Sequence, residues 1–200
     1  MSEGSAPRSS PALVPSGDDE LPVIGEPLPL ELVNTAHTWD GEVVESLGTP
    51  DALRTWTAAV LSAEDLVVGR RDLVAVHRLR AAVTDLVTSL RAGTPPSLEA
   101  IDVVNADLGL TAPGRRLVRL DARLAVSRPD PPTSVTELRG AIATATLELV
   151  SSASPARLRG CANPPCGMVF LATHGRRRFC TSWCSDDDRQ RRFRRRHAGS

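Results

Sequence analysis

A chain of 200 residues and 21.4 kDa, 41% hydrophobic and 24% charged, has room for one domain and a small second one. Its apolar runs are broken by Arg, Asp or Thr well before the roughly 20 residues a bilayer crossing needs, and no apolar segment stands behind a basic start, so a soluble, cytoplasmic protein is expected. The formal charge is zero, yet from Ala156 to Ala198 there are 11 Arg against three Asp, a net +8, which leaves the rest of the chain at −8. An acidic body with a basic end points to a polyanion partner.

Residues 1–20 hold too few apolar side chains to offset the entropy of ordering and are expected to form a disordered leader. Order is expected from about Leu28, where Leu28, Leu30, Leu32 and Val33 stand between a proline and Asp40-Gly41, and strand and short helix both suit that stretch. Thr49 as N-cap, Pro50 in the first turn and Asp51 at the positive end of the dipole open a helix of about 12 residues, with Leu53, Trp56 and Val60 on one face. Ser62 followed by Asp65 reads as another start. Between Arg71 and Arg91 the apolar residues Leu73, Val76, Leu79, Val83, Leu86 and Leu90 step by three or four, and Gly93 stands where a C-cap belongs. His77 lies near the polar edge of that helix and is expected at the surface. Ser97 caps a shorter helix through Leu108.

Past Pro113-Gly114, the residues Val118, Leu120, Ala122, Leu124 and Val126 alternate with polar neighbours, the period of a half-buried strand or hairpin. Ser134 with Glu137 forms a capping box before Leu138, Ile142, Ala145 and Leu149, and Pro155 closes that helix. The expected fold class is α+β: a mainly helical body over residues 21–155 with a small hairpin or sheet, then a small separate unit over 156–198.

All four cysteines fall in one short block, Cys161-x4-Cys166 and Cys180-x3-Cys184, two close pairs around a hairpin-sized insert. That is the arrangement of a four-thiolate structural zinc site. Met168 to Leu171 reads as a strand, Thr173-His174-Gly175 as a turn, and Arg177 to Phe179 as the returning strand. A segment of this size with so few large apolar residues needs a staple, and metal supplies one. Disulfides, free thiols and a redox pair are the alternatives; a cytosolic setting disfavours the first, and neither spacing is the C-x-x-C of dithiol oxidoreductases. His174, beside Gly175, is expected to be exposed rather than a ligand.

The tail SDDDRQRRFRRRHAGS places Ser185, Asp186, Asp187 and Asp188 toward a helix N-terminus and its Arg run toward the C-terminus, an order that dipole compensation alone would produce. The excess charge exceeds that need. Arg176, Arg177, Arg178, Arg189, Arg191, Arg192, Arg194, Arg195 and Arg196 are the candidate phosphate contacts, because the planar guanidinium makes bidentate bonds to phosphate, with Phe193 expected to pin the helix to the finger. Six to eight such contacts imply a salt slope of roughly −5 to −7.

The segments LPLELVNTAHTWDGEVVESLGTPDALRTW, LRGCANPPCGMVFL and RRRFCTSWC resemble the bacterial CGNR zinc-finger proteins, whose N-terminal part is the ABATE domain. The resemblance implies a transcription regulator with a DNA-binding finger, with Cys161, Cys166, Cys180 and Cys184 as zinc ligands and an N-terminal domain that senses a small molecule or stress. The chain departs from the pattern at three places. Cys184-Ser185-Asp186-Asp187 replaces C-G-N-R, the second cysteine pair is one residue closer, and Ala172 stands where Asp is common. Asn34, Thr35, His37 and Trp39 offer an amide, a hydroxyl, an imidazole and an aromatic wall to a ligand, although Asn34 and Thr35 equally suit backbone bonds at a turn. No Gly-rich phosphate loop, G-x-S-x-G elbow or metalloprotease helix is present, so an enzyme is not expected. A thiol redox switch, or a zinc-stapled module binding RNA or protein, is the competing reading.

Overall fold

The computed structural model describes residues 13–14, 21–110, 117–120, 123–126, 130–152 and 154–197, the backbone alone at 13–14, 117–120 and 123–126. In chain order these form β1 (Leu13–Val14), β2 (Leu21–Pro22), α1 (Leu28–Asn34), β3 (Ala36–Trp39), β4 (Glu42–Glu45), α2 (Pro50–Leu61), α3 (Arg70–Ala92), α4 (Leu98–Leu108), β5 (Leu117–Leu120), β6 (Arg123–Val126), α5 (Val135–Ser152), a 3-10 turn at Pro155–Arg157, β7 (Leu158–Gly160), β8 (Val169–Leu171) and α6 (Ser182–His197). The strands pair antiparallel in four two-stranded sheets, so the α+β reading holds with helices dominant. Among the described residues no helix is long and apolar enough to cross a membrane.

The caps form where short-range chemistry puts them. Thr49 Oγ1 accepts from Ala52 N at 3.1 Å to open α2, Ser97 Oγ accepts from Ala100 N at 3.1 Å to open α4, and Gly93 takes φ +69° to close α3. Ser62 behaves differently from expectation: with φ +57° it ends α2 as a left-handed cap and starts nothing. The next helix opens at Gly69, whose N–H is taken by the Asp72 carboxylate at 2.8 Å. The box at Ser134 is half formed, since Ser134 Oγ accepts from Glu137 N at 3.2 Å while the Glu137 carboxylate bonds Thr133.

The ambiguous stretch at Leu28 is a helix, followed by a hairpin at whose tip Asp40 and Gly41 take φ +53° and +90°, the positive pair a tight two-residue turn requires. The later alternation is a second hairpin, with Leu120 opposite Arg123 and Leu117 opposite Val126. Ala122 and the Pro113-Gly114 break lie outside the described residues. So does the expected leader apart from Leu13–Val14, which pairs with β2.

Helix α3 is the hub of the body and packs on α1, α4 and α5. Its stripe is buried at Val76, Leu79 and Val83, against Leu30 and Leu32 of α1, Leu53 and Trp56 of α2, and Leu138 and Ile142 of α5. One charge lies inside that stripe: Arg80, 7% exposed, donates to Thr35 Oγ1 at 2.9 Å and pairs with both Glu45 carboxylate oxygens. His77, expected at the surface, is half-buried and donates from Nε2 to Leu47 O at 2.8 Å. Leu158 and Val169, far along the chain, belong to this same core.

Candidate metal centre and its cationic face

After Pro155 the chain forms β7, a knuckle from Cys161 to Cys166, β8, a loop, and α6. The partner of β8 is β7, with Gly160 opposite Val169 and Leu158 opposite Leu171. Arg177 to Phe179, expected as the returning strand, is not one. The reason is Arg177 itself: its guanidinium lies 4.5 Å from the centre of the Phe170 ring and donates to Leu171 O at 3.2 Å, Phe179 O at 3.3 Å and Cys180 O at 2.7 Å. One side chain thus closes the loop where a ladder would otherwise have to.

That closure brings the two cysteine pairs together. The four Sγ atoms all lie within 4.8 Å of one another, Cys166 and Cys180 at 3.8 Å and Cys180 and Cys184 at 3.5 Å. Four thiolates around zinc form a tetrahedron with edges of about 3.8 Å, so the donor set fits that ion in both chemistry and size. No pair is at disulfide distance, and His174 is exposed and outside the group. The Cys161 thiol is pushed far below its ordinary range by S–H donation from Cys166, then Cys180 and Cys184, while Cys166 and Cys180 are pushed far above theirs because they supply those protons. Cys184 is lowered as well, its bond to Cys161 raising it and those to Cys166 and Cys180 lowering it by more; a divalent ion is what lets all four sulfurs ionise together.

The supporting bonds are local. Cys161 N donates to Met168 O at 2.9 Å, Cys166 N to Asn163 O at 2.9 Å, and Cys180 N to Cys161 Sγ at 3.5 Å. Asn163, fully buried, donates Nδ2 to Asp187 Oδ2 at 3.1 Å, and the same oxygen accepts from Arg191 Nε at 2.7 Å. Asp187 thereby ties the knuckle to α6. Neither Asn163 nor Asp187 is marked as structural by its neighbours in sequence; an aspartate in an acidic run reads as solvated.

The finger is joined to the body along the outer edge of β8. Asn34 stands beside Val169 like a strand neighbour: its Nδ2 donates to Val169 O and its Oδ1 accepts from Val169 N, both at 2.9 Å. Two residues on, Leu171 N donates to Glu26 Oε2 at 2.7 Å, and Glu26 also holds Arg177 in an ion pair at 2.7 Å. Hairpin β3–β4 meets the knuckle through Gly167 N to Thr38 O and Asp40 N to Pro165 O, each 2.8 Å. Trp39 packs into the finger's small core of Met168, Phe170 and Ala172, its ring centre 5.3 Å from that of Trp183.

The four residues considered for a ligand are accordingly placed in or beside this seam. Asn34 spends its amide on Val169, Thr35 Oγ1 donates to Leu32 O at 2.7 Å and accepts from Arg80, and His37 Nδ1 donates to Asn34 O at 2.9 Å. Trp39 is half-buried against Trp183. Burial holds His37 below the usual imidazole range, partly offset by its bond to Asn34 O.

The candidate phosphate contacts divide. Arg177 is turned inward. Arg189, Arg191 and Arg192 pair within α6 to Asp186, Asp187 and Asp188. Arg176, Arg178, Arg194, Arg195 and Arg196 are exposed and have no carboxylate partner among the described residues. Phe193, expected to pin α6 to the finger, is instead 59% exposed and stacked on His197 with ring centres 4.1 Å apart. It is Trp183 and Cys184, consecutive in the first turn of α6, that pack the helix against the finger's small core.

Two known families match the chain. ABATE, described as a "putative stress-induced transcription regulator", matches residues 26–153, and the CGNR zinc finger matches residues 157–197. No curated protein matches.

Proposed function

The chain belongs to the ABATE family and ends in a CGNR zinc finger, and from that membership we propose that it is a DNA-binding transcription regulator whose finger grips the phosphate backbone. The observation that carries this reading is the cationic end of the finger. Arg194, Arg195 and Arg196 close α6, and Arg176 and Arg178 stand on the loop before it, all exposed and without a carboxylate partner among the described residues.

Cys161, Cys166, Cys180 and Cys184 would hold the metal, which would serve structurally by neutralising the thiolates and fixing the knuckle against α6. Four sulfur ligands leave no open position for substrate or water, which favours a regulator over an enzyme. The acidic body adds like-charge repulsion toward DNA except where Arg offsets it, so binding is centred on the finger end. The body is the part that receives a stress or small-molecule signal, and the seam at β8 passes it to the finger.

Binding of a labelled duplex across a salt series tests this. Five phosphate contacts predict a slope of log K against log salt of about −4.5. A chain with stoichiometric zinc that fails to bind duplex DNA at 50 mM salt would overturn the reading, and one that binds RNA or a protein in its place would transfer the finger to an interaction module.

A further inference from the structure

We propose that the body itself holds a phosphate group of the bound strand, in a groove where Arg91, at the end of α3, meets Arg159 and Arg178 of the finger. This rests on the DNA-binding reading above and extends the contact beyond the finger. The groove has a volume of about 390 Å³ and is lined by Arg91, Leu158, Arg159, Gly160, Ala162 and Arg178, with three guanidinium groups and no carboxylate.

Each cation is set in place by a different device. Arg159 is fastened by Nε to Ala156 O at 3.1 Å and by Nη1 to Gly175 O at 2.9 Å and Arg177 O at 3.0 Å, which leaves its Nη2 unspent. Arg178 is held through its backbone, since its carbonyl accepts from Ala162 N at 2.9 Å. Arg91 comes from a helix of the acidic body 68 positions earlier in the chain than Arg159. It lies against the backbone of β7 because Gly160 has no side chain: a Cβ there would stand 2.8 Å from Arg91 Nη2 and 3.6 Å from Cζ.

Three like charges gathered on one concave surface repel one another unless an anion enters, and guanidinium forks match the oxygens of a phosphate. Arg178 is shared with the cationic loop, so a duplex engaged by that loop passes this groove. The chemistry is that of a phosphate oxyanion, and the source assigned here is the phosphodiester backbone rather than a free small anion.

The test uses full-length zinc-loaded protein, with zinc stoichiometry confirming the fold of every variant. Arg91→Gln should reduce the magnitude of the salt slope by about 0.9 and weaken duplex binding about 8-fold at 0.1 M salt. Gly160→Ala, which removes no charge but displaces Arg91, should weaken binding in the same direction. Arg54→Gln, the same charge change on α2 away from the groove lining, should leave the slope unchanged. Inorganic pyrophosphate, titrated calorimetrically into wild type and Arg91→Gln, is the second arm. Pyrophosphate binding lost in the variant while the duplex slope stays the same would overturn the assignment and give the groove to a free anion. Equal slopes for wild type and Arg91→Gln would overturn it alone, whereas a wild type that binds no duplex would overturn the DNA-binding reading with it.

Discussion

The finger's two sides are built by opposite rules. At the seam with the body, the backbone groups on the outer edge of β8 are met by side chains: Val169 by Asn34, Leu171 by Glu26, while Arg177 is enclosed by carbonyls and a carboxylate. At the far end, Arg194, Arg195 and Arg196 stand in solvent with no carboxylate partner among the described residues. Saturated bonds hold a geometry; unsaturated charge waits for a partner. Removing a residue from the first side should therefore cost stability, and removing one from the second should cost binding.

The largest break in that contrast is at the metal centre, which both sides need. Cys180→Ser, or a strong chelator, should release zinc and with it the roughly 10–16 kcal/mol of apparent folding free energy such an ion supplies. Amide exchange should show loss of protection over residues 158–197, and because Leu158 and Val169 sit in the body's core, the body's melting temperature should fall as well. A body unchanged by metal loss would mean the seam transmits nothing.

Next in size is Asn34→Ala, which strands a buried N–H and a buried C=O of Val169 and should cost about 2–4 kcal/mol by denaturant unfolding, with zinc retained. Asn34→Asp should be as harmful, since it keeps the acceptor for Val169 N but sets a carboxylate against Val169 O. On the outer side, Arg194→Ala with Arg195→Ala should cut the magnitude of the salt slope by about 1.8, while unfolding free energy stays within about 0.5 kcal/mol of wild type.

The smallest effect is set by pH. Burial depresses the pKa of His37 below 6.5, so the native state resists a proton that the unfolded chain accepts. Stability from this group is complete above pH 6.5 and declines as pH falls below it, by at most about 1.4 kcal/mol per pH unit. His37→Gln should flatten the part of the stability profile just below pH 6.5, a difference that parallel denaturant titrations of the two proteins would detect.

What was legible in the sequence is what depends on neighbours a few residues apart. Thr49, Ser97 and Gly93 cap the helices they precede or follow, the stripe of α3 faces inward at Val76, Leu79 and Val83, and the four cysteines converge. The seam was not legible, because its bonds join residues as far apart in sequence as Asn34 and Val169, and no local period signals that an amide will imitate a strand. β7 is hidden for a related reason: its three residues are too few to show alternation, and the segment after the turn looks the better partner for β8. Within the Arg cluster, sequence offers no sign that Arg177 faces in while Arg176 and Arg178 face out; that depends on the Phe170 ring and Glu26.

The edge of β8 filled by Asn34 and Glu26 also bears on how the protein behaves at high concentration. A short strand with unmet N–H and C=O groups is a template onto which a strand of another molecule adds. Here that template is occupied from within the same chain, and its hydrogen-bonding positions at Val169 and Leu171 are closed to recruitment. Addition of a strand at this edge is thus blocked for as long as the body stays folded beside it, which makes the acidic body a guard over that edge of its own basic finger.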